Sequence, residues 1–177
     1  MNAPWLYRVI TFVLASILSL VVIVFCVKSK DHLDDIVNAV GGRGQFNASN
    51  YPYATLGIAV GVMTVVTKVA MLALDFFFES IFTSYIIFEL GWSCVLWVLW
   101  IAVGGTTLSN GKDLFGDENC QDFHVILPEA EDACDDIHPI ASIAFVTFAL
   151  FFLYSGVLVF LAFSGSGWNT SLKSRSK

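Results

Sequence analysis

Four long runs of apolar residues divide this chain of 177 residues, and polar segments separate them. The runs cover about residues 6–27, 54–74, 81–103 and 139–163. An apolar helix of ~20 residues is long enough to cross the hydrocarbon core of a bilayer. The pattern therefore predicts an all-α protein, an integral membrane four-helix bundle.

The composition supports this prediction and narrows the class of partner. Of the residues, 56% are hydrophobic and 14% are charged, against about 45–50% and about 25% in ordinary soluble domains. The net charge of −6 comes without a basic stripe, so we expect no nucleic-acid partner. Four spans leave too little chain for a separate soluble domain. We expect one four-span membrane domain over residues 4–163, followed by a short basic tail over 164–177.

The first apolar run has a competing interpretation, a cleaved signal peptide. The uncharged stretch from Val9 to Val27 is long for the hydrophobic part of a signal peptide, and no clear small-x-small cleavage site follows it. Lys28 and Lys30 then end the run as basic residues end a membrane span. We therefore expect this segment to be the first span.

The second and third spans carry one formal charge each, Lys68 and Glu89, and the short turn Asp75–Glu79 joins them. So short a connection makes the two helices antiparallel neighbours. Counted from the middle of the turn, the two charges lie at nearly the same depth, about 3 Å apart along the helix axes. Since a charge in hydrocarbon costs at least ~2.5–3.5 kcal/mol, we predict that Lys68 and Glu89 form an intramembrane charge pair.

Other arrangements of these two residues remain open. Lys68 lies roughly 9 Å from the turn, and a side chain this long can snorkel to the interface. Glu89 is too short to do so, and without Lys68 it is either protonated or bonded to local water or another polar group. A proton-coupled or ion-conducting site is the alternative functional interpretation.

Small and aromatic residues predict further packing features of the spans. Gly57 and Gly61 form a GxxxG motif, which allows close helix packing, although glycine is also simply commoner in membrane helices. Trp97 and Trp100 are expected in an outer aromatic belt, before Gly104 and Gly105 end the third helix. In the fourth helix, Pro139 is expected in the first turn.

The loop between the third and fourth spans is strongly acidic and contains Cys120 and Cys134. A cysteine pair in such a loop suggests a disulfide on an oxidising, lumenal or extracellular face. It would close a loop of about 15 residues, worth ~3 kcal/mol in the chain-entropy model. The loop also contains His124 and His138, but no spacing matches a calcium or zinc motif. We therefore expect a solvated acidic surface, with no metal site and no cofactor.

The orientation in the membrane depends on the loops. Four spans place both termini on one side, and Lys and Arg outside the spans divide four to four, so the positive-inside rule decides nothing. The cysteine pair and the glycosylation sequon at Asn47 both require the two large loops outside. A second sequon, at Asn169, lies on the opposite side but close to the bilayer. We therefore expect cytoplasmic termini and Asn47 as the candidate glycosylation site.

The layout resembles the MARVEL-domain tetraspan membrane proteins, in particular the short fungal-type members. Three features carry the resemblance: the acidic residue of the third span with its aliphatic and tryptophan run (Phe88-Glu-Leu90 and Leu96–Ala102), the following loop with Cys120 and Cys134, and Ala144-Phe145 at the start of the fourth span. Claudin-like proteins carry a Gly-Leu-Trp motif and tetraspanins a Cys-Cys-Gly motif, and neither is present in this sequence.

The resemblance implies a four-helix bundle with cytoplasmic termini that serves membrane organisation, membrane apposition or vesicle trafficking. The implied partners are membrane lipids and either further copies of the chain or other membrane proteins. The implied location is the plasma membrane or an endomembrane or vesicle. No catalysis is implied, and we expect no enzyme, since all three histidines lie in loops and no catalytic constellation lies in the spans. The alternative function is a small channel or transporter that uses Lys68 and Glu89.

Overall fold

The computed structural model describes residues 3–39, 52–77, 86–115 and 128–166, and these residues are helical throughout. The helices are α1 (Ala3–Ala39), α2 (Pro52–Phe77), α3 (Ile86–Phe115) and α4 (Pro128–Leu161). A π-helical turn, Ala162–Ser166, continues α4. The predicted all-α four-helix fold is therefore confirmed.

Each of the four helices contains a segment long and apolar enough to cross a membrane. The segments are Trp5–Asp31, Pro52–Leu74, Ile86–Lys112 and Asp135–Ser164. Large apolar side chains on their outer surfaces are exposed, for example Val24 at 66% and Phe160 at 70%. Exposure of this kind is unfavourable in water and suits contact with lipid tails. The chain is thus a multi-pass integral membrane protein.

Each helix buries a narrow stripe of residues spaced alternately by three and four positions. In α1 the stripe is Arg8, Phe12, Ala15, Ser19, Val22, Cys26 and Ser29. In α2 it is Ala54, Gly57, Gly61, Thr64, Lys68 and Met71. In α3 it is Ile86, Glu89, Ser93, Leu96, Trp100, Val103 and Thr107, and in α4 it is Ile137, Ile140, Ala144, Thr147, Phe151, Tyr154 and Leu158. An average spacing of 3.5 residues is typical of left-handed helical bundles.

The four stripes meet along one central axis. Helix α1 packs against α2 and α4, while α3 packs extensively against α4 and less extensively against α2. The helices therefore form a ring in chain order, with α1 diagonally opposite α3 and α2 diagonally opposite α4. This order decides which side chains meet at the centre.

Gly57 and Gly61, where close helix packing is expected, lie at the contact between α2 and α1. A Cβ atom at Gly57 would lie 2.6 Å from Cys26 Sγ, and one at Gly61 would lie 2.7 Å from Ile23 Cγ1. Neither position has room for a larger side chain unless the side chain of Cys26 or Ile23, or α1 itself, shifts. The GxxxG motif thus serves packing inside the bundle.

Four helix ends differ from the sequence predictions. Helix α1 continues past Lys30 to Ala39. Helix α2 continues through Asp75, where the turn was expected to begin, to Phe77.

The ends of α3 and α4 differ as well. Helix α3 does not end at Gly104 and Gly105 but continues to Phe115. A Cβ at Gly104 would lie 3.0 Å from Phe145 Cζ, so this glycine provides space for the ring of α4. Helix α4 begins at Pro128, and Pro139 lies inside it instead of in its first turn. Proline is favoured at the first helical position, and membrane helices tolerate internal proline because neighbouring groups satisfy the freed carbonyl.

Trp100 was expected in an outer aromatic belt, and this prediction was wrong. It is fully buried, and its Nε1–H donates a hydrogen bond to Thr64 Oγ1 at 3.2 Å. Trp97 is half-buried and packs edge-on against Phe148 and Phe152, at 5.8 and 6.0 Å between ring centroids. The heptad spacing explains the difference, because Trp100 lies four residues after Leu96 and three before Val103 on the buried stripe.

Several sequence predictions fall on residues that the structure does not describe. Cys120 and Asn47 lie outside the described residues, and so do the centre of the turn between α2 and α3 and the basic tail from residue 167 onward. The disulfide, the glycosylation site and the orientation in the membrane therefore remain predictions.

Candidate functional site

Glu89 is the centre of a buried polar cluster at the end of the bundle where α1 and α3 begin. Its carboxylate is fully buried, and Oε1 accepts two short hydrogen bonds. Arg8 Nε donates at 2.7 Å and the Tyr154 hydroxyl donates at 2.6 Å. Arg8 and Tyr154 are themselves 1% exposed. Burial of all three groups strengthens the attraction between the ions, because the local dielectric constant is low.

The cluster joins three helices across the centre of the bundle. Arg8 lies near the start of α1, Glu89 in the first turn of α3, and Tyr154 near the end of α4. Since α1 and α3 are diagonally opposite, the ion pair crosses the bundle axis. All three residues occupy heptad positions, so the same spacing that builds the core brings them together.

Lys68 is not the direct partner of Glu89, and the predicted contact pair was wrong in this respect. Among the described residues, the buried ammonium of Lys68 has no hydrogen-bond partner. It lies over the ring of Phe12, at 4.2 Å from the centroid, and 5.2 Å from the ring centroid of Phe151. These are cation–π contacts, and they are stronger in a desolvated site than at a surface.

The register between α2 and α3 explains the correction. A Cβ at Gly57 would lie 3.8 Å from Val103 Cγ1, so these two residues are level in the bundle. Lys68 lies eleven residues after Gly57, and Trp92 lies eleven residues before Val103. In antiparallel helices Lys68 is therefore level with Trp92 and its neighbour, about 5 Å deeper than Glu89 at 1.5 Å per residue.

Lys68 still interacts with the ion pair at longer range. Its ammonium is attracted by the carboxylate of Glu89 and repelled by the guanidinium of Arg8. Both cations lie close to the ring of Phe12, with Arg8 Cζ at 5.2 Å and Lys68 Nζ at 4.2 Å from its centroid. Lys68 is thus a second cation in the same cluster, one helical turn further into the bundle.

Aromatic rings surround the cluster and hold Tyr154 in position. Tyr7 stacks on Tyr154 at 5.9 Å between centroids, and Phe12 meets Tyr154 edge-on at 5.7 Å. Such pairs add about 0.5–1.5 kcal/mol beyond the area they bury. They also fix the direction in which the Tyr154 hydroxyl donates.

Sequence reasoning missed Arg8 and Tyr154 as partners of Glu89. Arg8 directly precedes the uncharged stretch from Val9 to Val27, and it was counted among the Lys and Arg residues outside the spans. Its spacing to Phe12 and Ala15, four and then three residues, places it on the buried stripe of α1. That periodicity was the available signal, and no comparable signal singled out Tyr154 among the aromatic residues of α4.

The Tyr154→Phe substitution tests the hydrogen bond that the neutral tyrosine hydroxyl donates to Glu89. We expect it to lower the free energy of unfolding by about 1.5 kcal/mol, because it removes one hydrogen bond to a charged group. Unfolding by SDS in mixed micelles, followed by tryptophan fluorescence, measures the change. Tyr53→Phe, which removes a hydroxyl 2.9 Å from Ser29 Oγ at the other end of the bundle, is a matched neutral hydrogen bond and should cost less. Equal losses in the two variants would contradict a charge-assisted bond at Tyr154.

A weaker polar contact closes the opposite end. Lys28 Nζ lies 3.4 Å from Asp136 Oδ1, with side-chain exposures of 53% and 7%. The exposed lysine makes this pair easily screened by salt, so its contribution is small. The Glu89 cluster is therefore the main ionic contact described within the bundle.

The described residues contain no group of three or more histidine, cysteine or acidic side chains that could hold a metal ion. What the cluster does offer is an ion pair, a tyrosine donor and a second cation in an apolar interior. No family model, no curated protein and no solved structure matches the chain. Its function must therefore be argued from these contacts.

Proposed function

We propose that this protein is a non-enzymatic membrane organiser, acting in membrane apposition, vesicle trafficking or lateral membrane organisation. It does so through contact with lipids and with further copies of the chain or other membrane proteins. The observation that carries the proposal is that the polar cluster links helices of the bundle to one another. The buried acid bonds a guanidinium and a tyrosine hydroxyl across the bundle axis, where these contacts fix the packing of three helices.

The filling of the bundle axis supports a packing role. Phe12, Leu96, Trp100 and Phe151 lie on the central stripes of three helices, and each is 0% exposed. These bulky side chains fill the bundle axis. The buried ions therefore contact other side chains. This is the arrangement expected of a structural interior, since a transport path needs polar groups that face water.

The outer surface supports contact with lipids and with other membrane proteins. Exposed side chains along the spans are largely apolar, and three glycines on α3 and α4 have no neighbouring atom within 4 Å of an added Cβ. They are Gly91, Gly105 and Gly156. Small residues on a lipid-facing surface allow a second helix to approach closely. The resemblance to MARVEL-domain proteins adds the expectation of a role in trafficking or apposition.

Reconstitution of the full chain in liposomes tests the proposal. Copies labelled with donor and acceptor fluorophores should show energy transfer above that of a monomeric single-span peptide at the same surface density. Fluxes of Na⁺, K⁺ and H⁺ should equal those of protein-free liposomes. Energy transfer at the level of the peptide would overturn self-association, and an ion flux that Glu89→Gln abolishes would favour the channel or transporter.

A further inference from the structure

The indole N–H of half-buried Trp92 lacks a hydrogen-bond partner among the described residues, and so do three polar groups of fully buried residues next to the ion pair. They are the ammonium of Lys68, the hydroxyl of Ser93 and the second carboxylate oxygen of Glu89, Oε2. All three residues are 0% exposed. A buried polar group without a partner costs about 1–3 kcal/mol, and a charged one costs more. Three such groups in one region therefore require a common explanation.

Ser93 differs from the other buried hydroxyl residues of the described helices. Each of the others has a hydrogen-bond partner: six of them donate to the backbone carbonyl four residues earlier, namely Thr11, Ser19, Thr64, Thr107, Thr147 and Ser155. Ser93 could do the same toward the carbonyl of Glu89 and does not. Its hydroxyl is thus available to a group outside its own helix.

The three groups lie at neighbouring levels on facing helices. Lys68 is level with Trp92 and Ser93, as the contact of Gly57 with Val103 requires. Glu89 lies one turn from Ser93 on the same buried stripe of α3. The three fully buried residues therefore lie at neighbouring levels of the bundle interior, where the ammonium of Lys68 lies beside Phe12 and Phe151.

The donors and acceptors of this set define the ligand. Lys68 supplies three N–H donors, Glu89 Oε2 is an acceptor, and Ser93 is both. A water molecule matches this set, because it accepts from the ammonium while it donates to the carboxylate and the hydroxyl. A halide or other anion accepts from Lys68 and Ser93 but is repelled by Glu89. Buried waters typically make about three hydrogen bonds to otherwise unsatisfied groups.

We propose that Lys68, Ser93 and Glu89 form an internal water-binding site, in which ordered water joins the second cation to the free oxygen of the carboxylate. Lys68 and Glu89 are then a water-mediated pair, while Arg8 holds the direct contact. Glu89 then interacts with two cations from different helices, Arg8 directly and Lys68 through water. At the next level no water is needed, because Trp100 Nε1–H donates to Thr64 Oγ1 and the Thr64 hydroxyl donates to the carbonyl of Val60.

Radiolytic hydroxyl-radical footprinting of the full chain in nanodiscs tests the site, because radicals formed from bound water oxidise adjacent side chains. Phe12 and Phe151 beside Lys68 should be oxidised several-fold faster than Trp100. Trp100 is equally buried at 0% exposure and is intrinsically the more reactive type, so it is a strict control. In the double variant Lys68→Met with Ser93→Val, the rates at the two phenylalanines should fall to that of Trp100.

Oxidation of Phe12 and Phe151 no faster than Trp100 in the unaltered chain would overturn the proposal, whether or not the double variant folds. The anion is tested by thermal unfolding of the unaltered chain in potassium chloride and in potassium gluconate. The same midpoint in both salts is expected for a water site. A midpoint that rises with chloride concentration would show an anion site and would overturn the assignment of water.

Discussion

Glu89→Gln should destabilise the bundle by about 3 kcal/mol or more, since removing one partner of a buried ion pair leaves the other charge uncompensated. Glutamine keeps the size of the side chain and an acceptor for Arg8 and Tyr154, so the loss reports the charge. The free energy of unfolding is measured in mixed micelles with increasing SDS. Because stability is small for any protein, a loss of this size should also lower the yield of folded protein.

Asp135→Asn is the matched control for this substitution. Asp135 is an exposed acid in α4, and its neutralisation should change stability by no more than about 0.5 kcal/mol. If Glu89→Gln costs as little as Asp135→Asn, the buried ion pair does not stabilise the bundle as described. The comparison separates the local contact from the general effect of removing one negative charge.

Gly57→Ala should be less stable than Gly105→Ala by up to about 3 kcal/mol, the cost of overpacking a tight site. Both substitutions replace glycine by alanine within a helix, so the gain in helix propensity of about 1 kcal/mol is common to them. The two glycines differ in the atoms that an added methyl group would meet. An added Cβ lies 2.6 Å from Cys26 Sγ at Gly57 and meets nothing within 4 Å at Gly105.

Cys26→Ala provides the check on the cause. It removes the sulfur that the new methyl group meets, so Gly57→Ala should be less harmful in the Cys26→Ala background than in the natural chain. The same unfolding assay measures this coupling. Additive effects of the two substitutions would contradict the direct contact between α1 and α2 at this point.

The hydrophobic pattern was sufficient to predict the four helices, because membrane spans are long and uniformly apolar. It could not place their ends, since α3 continues through Gly104 and Gly105 and α4 begins eleven residues before Pro139. Glycine and proline are weaker helix breakers in membranes than in water. The helix ends predicted at glycine and proline were therefore placed too early in α3 and too late in α4.

The buried charges could be identified from the sequence, but their pairing could not. Glu89 and Lys68 stand out as ions within apolar runs, and both are buried at 0% exposure. Their relative depth depends on the register of α2 and α3, which packing against α1 and α4 sets. The depths predicted from the number of residues between each charge and the turn are correct only if the hairpin alone fixes the register. The counted depths differ from the observed ones by about 8 Å, or about one and a half helical turns, and this was enough to exchange Lys68 for Arg8 as the direct partner.

Arg8, on the diagonal helix, bonds Glu89 directly, while Lys68 interacts with it at longer range. Two double-mutant cycles measured in the same unfolding assay test this arrangement most directly, one with Arg8→Gln and one with Lys68→Gln, each combined with Glu89→Gln. The coupling energy should be about 2–3 kcal/mol for Arg8 with Glu89 and clearly smaller for Lys68 with Glu89. A larger coupling for Lys68 than for Arg8 would contradict Arg8 as the direct partner of Glu89.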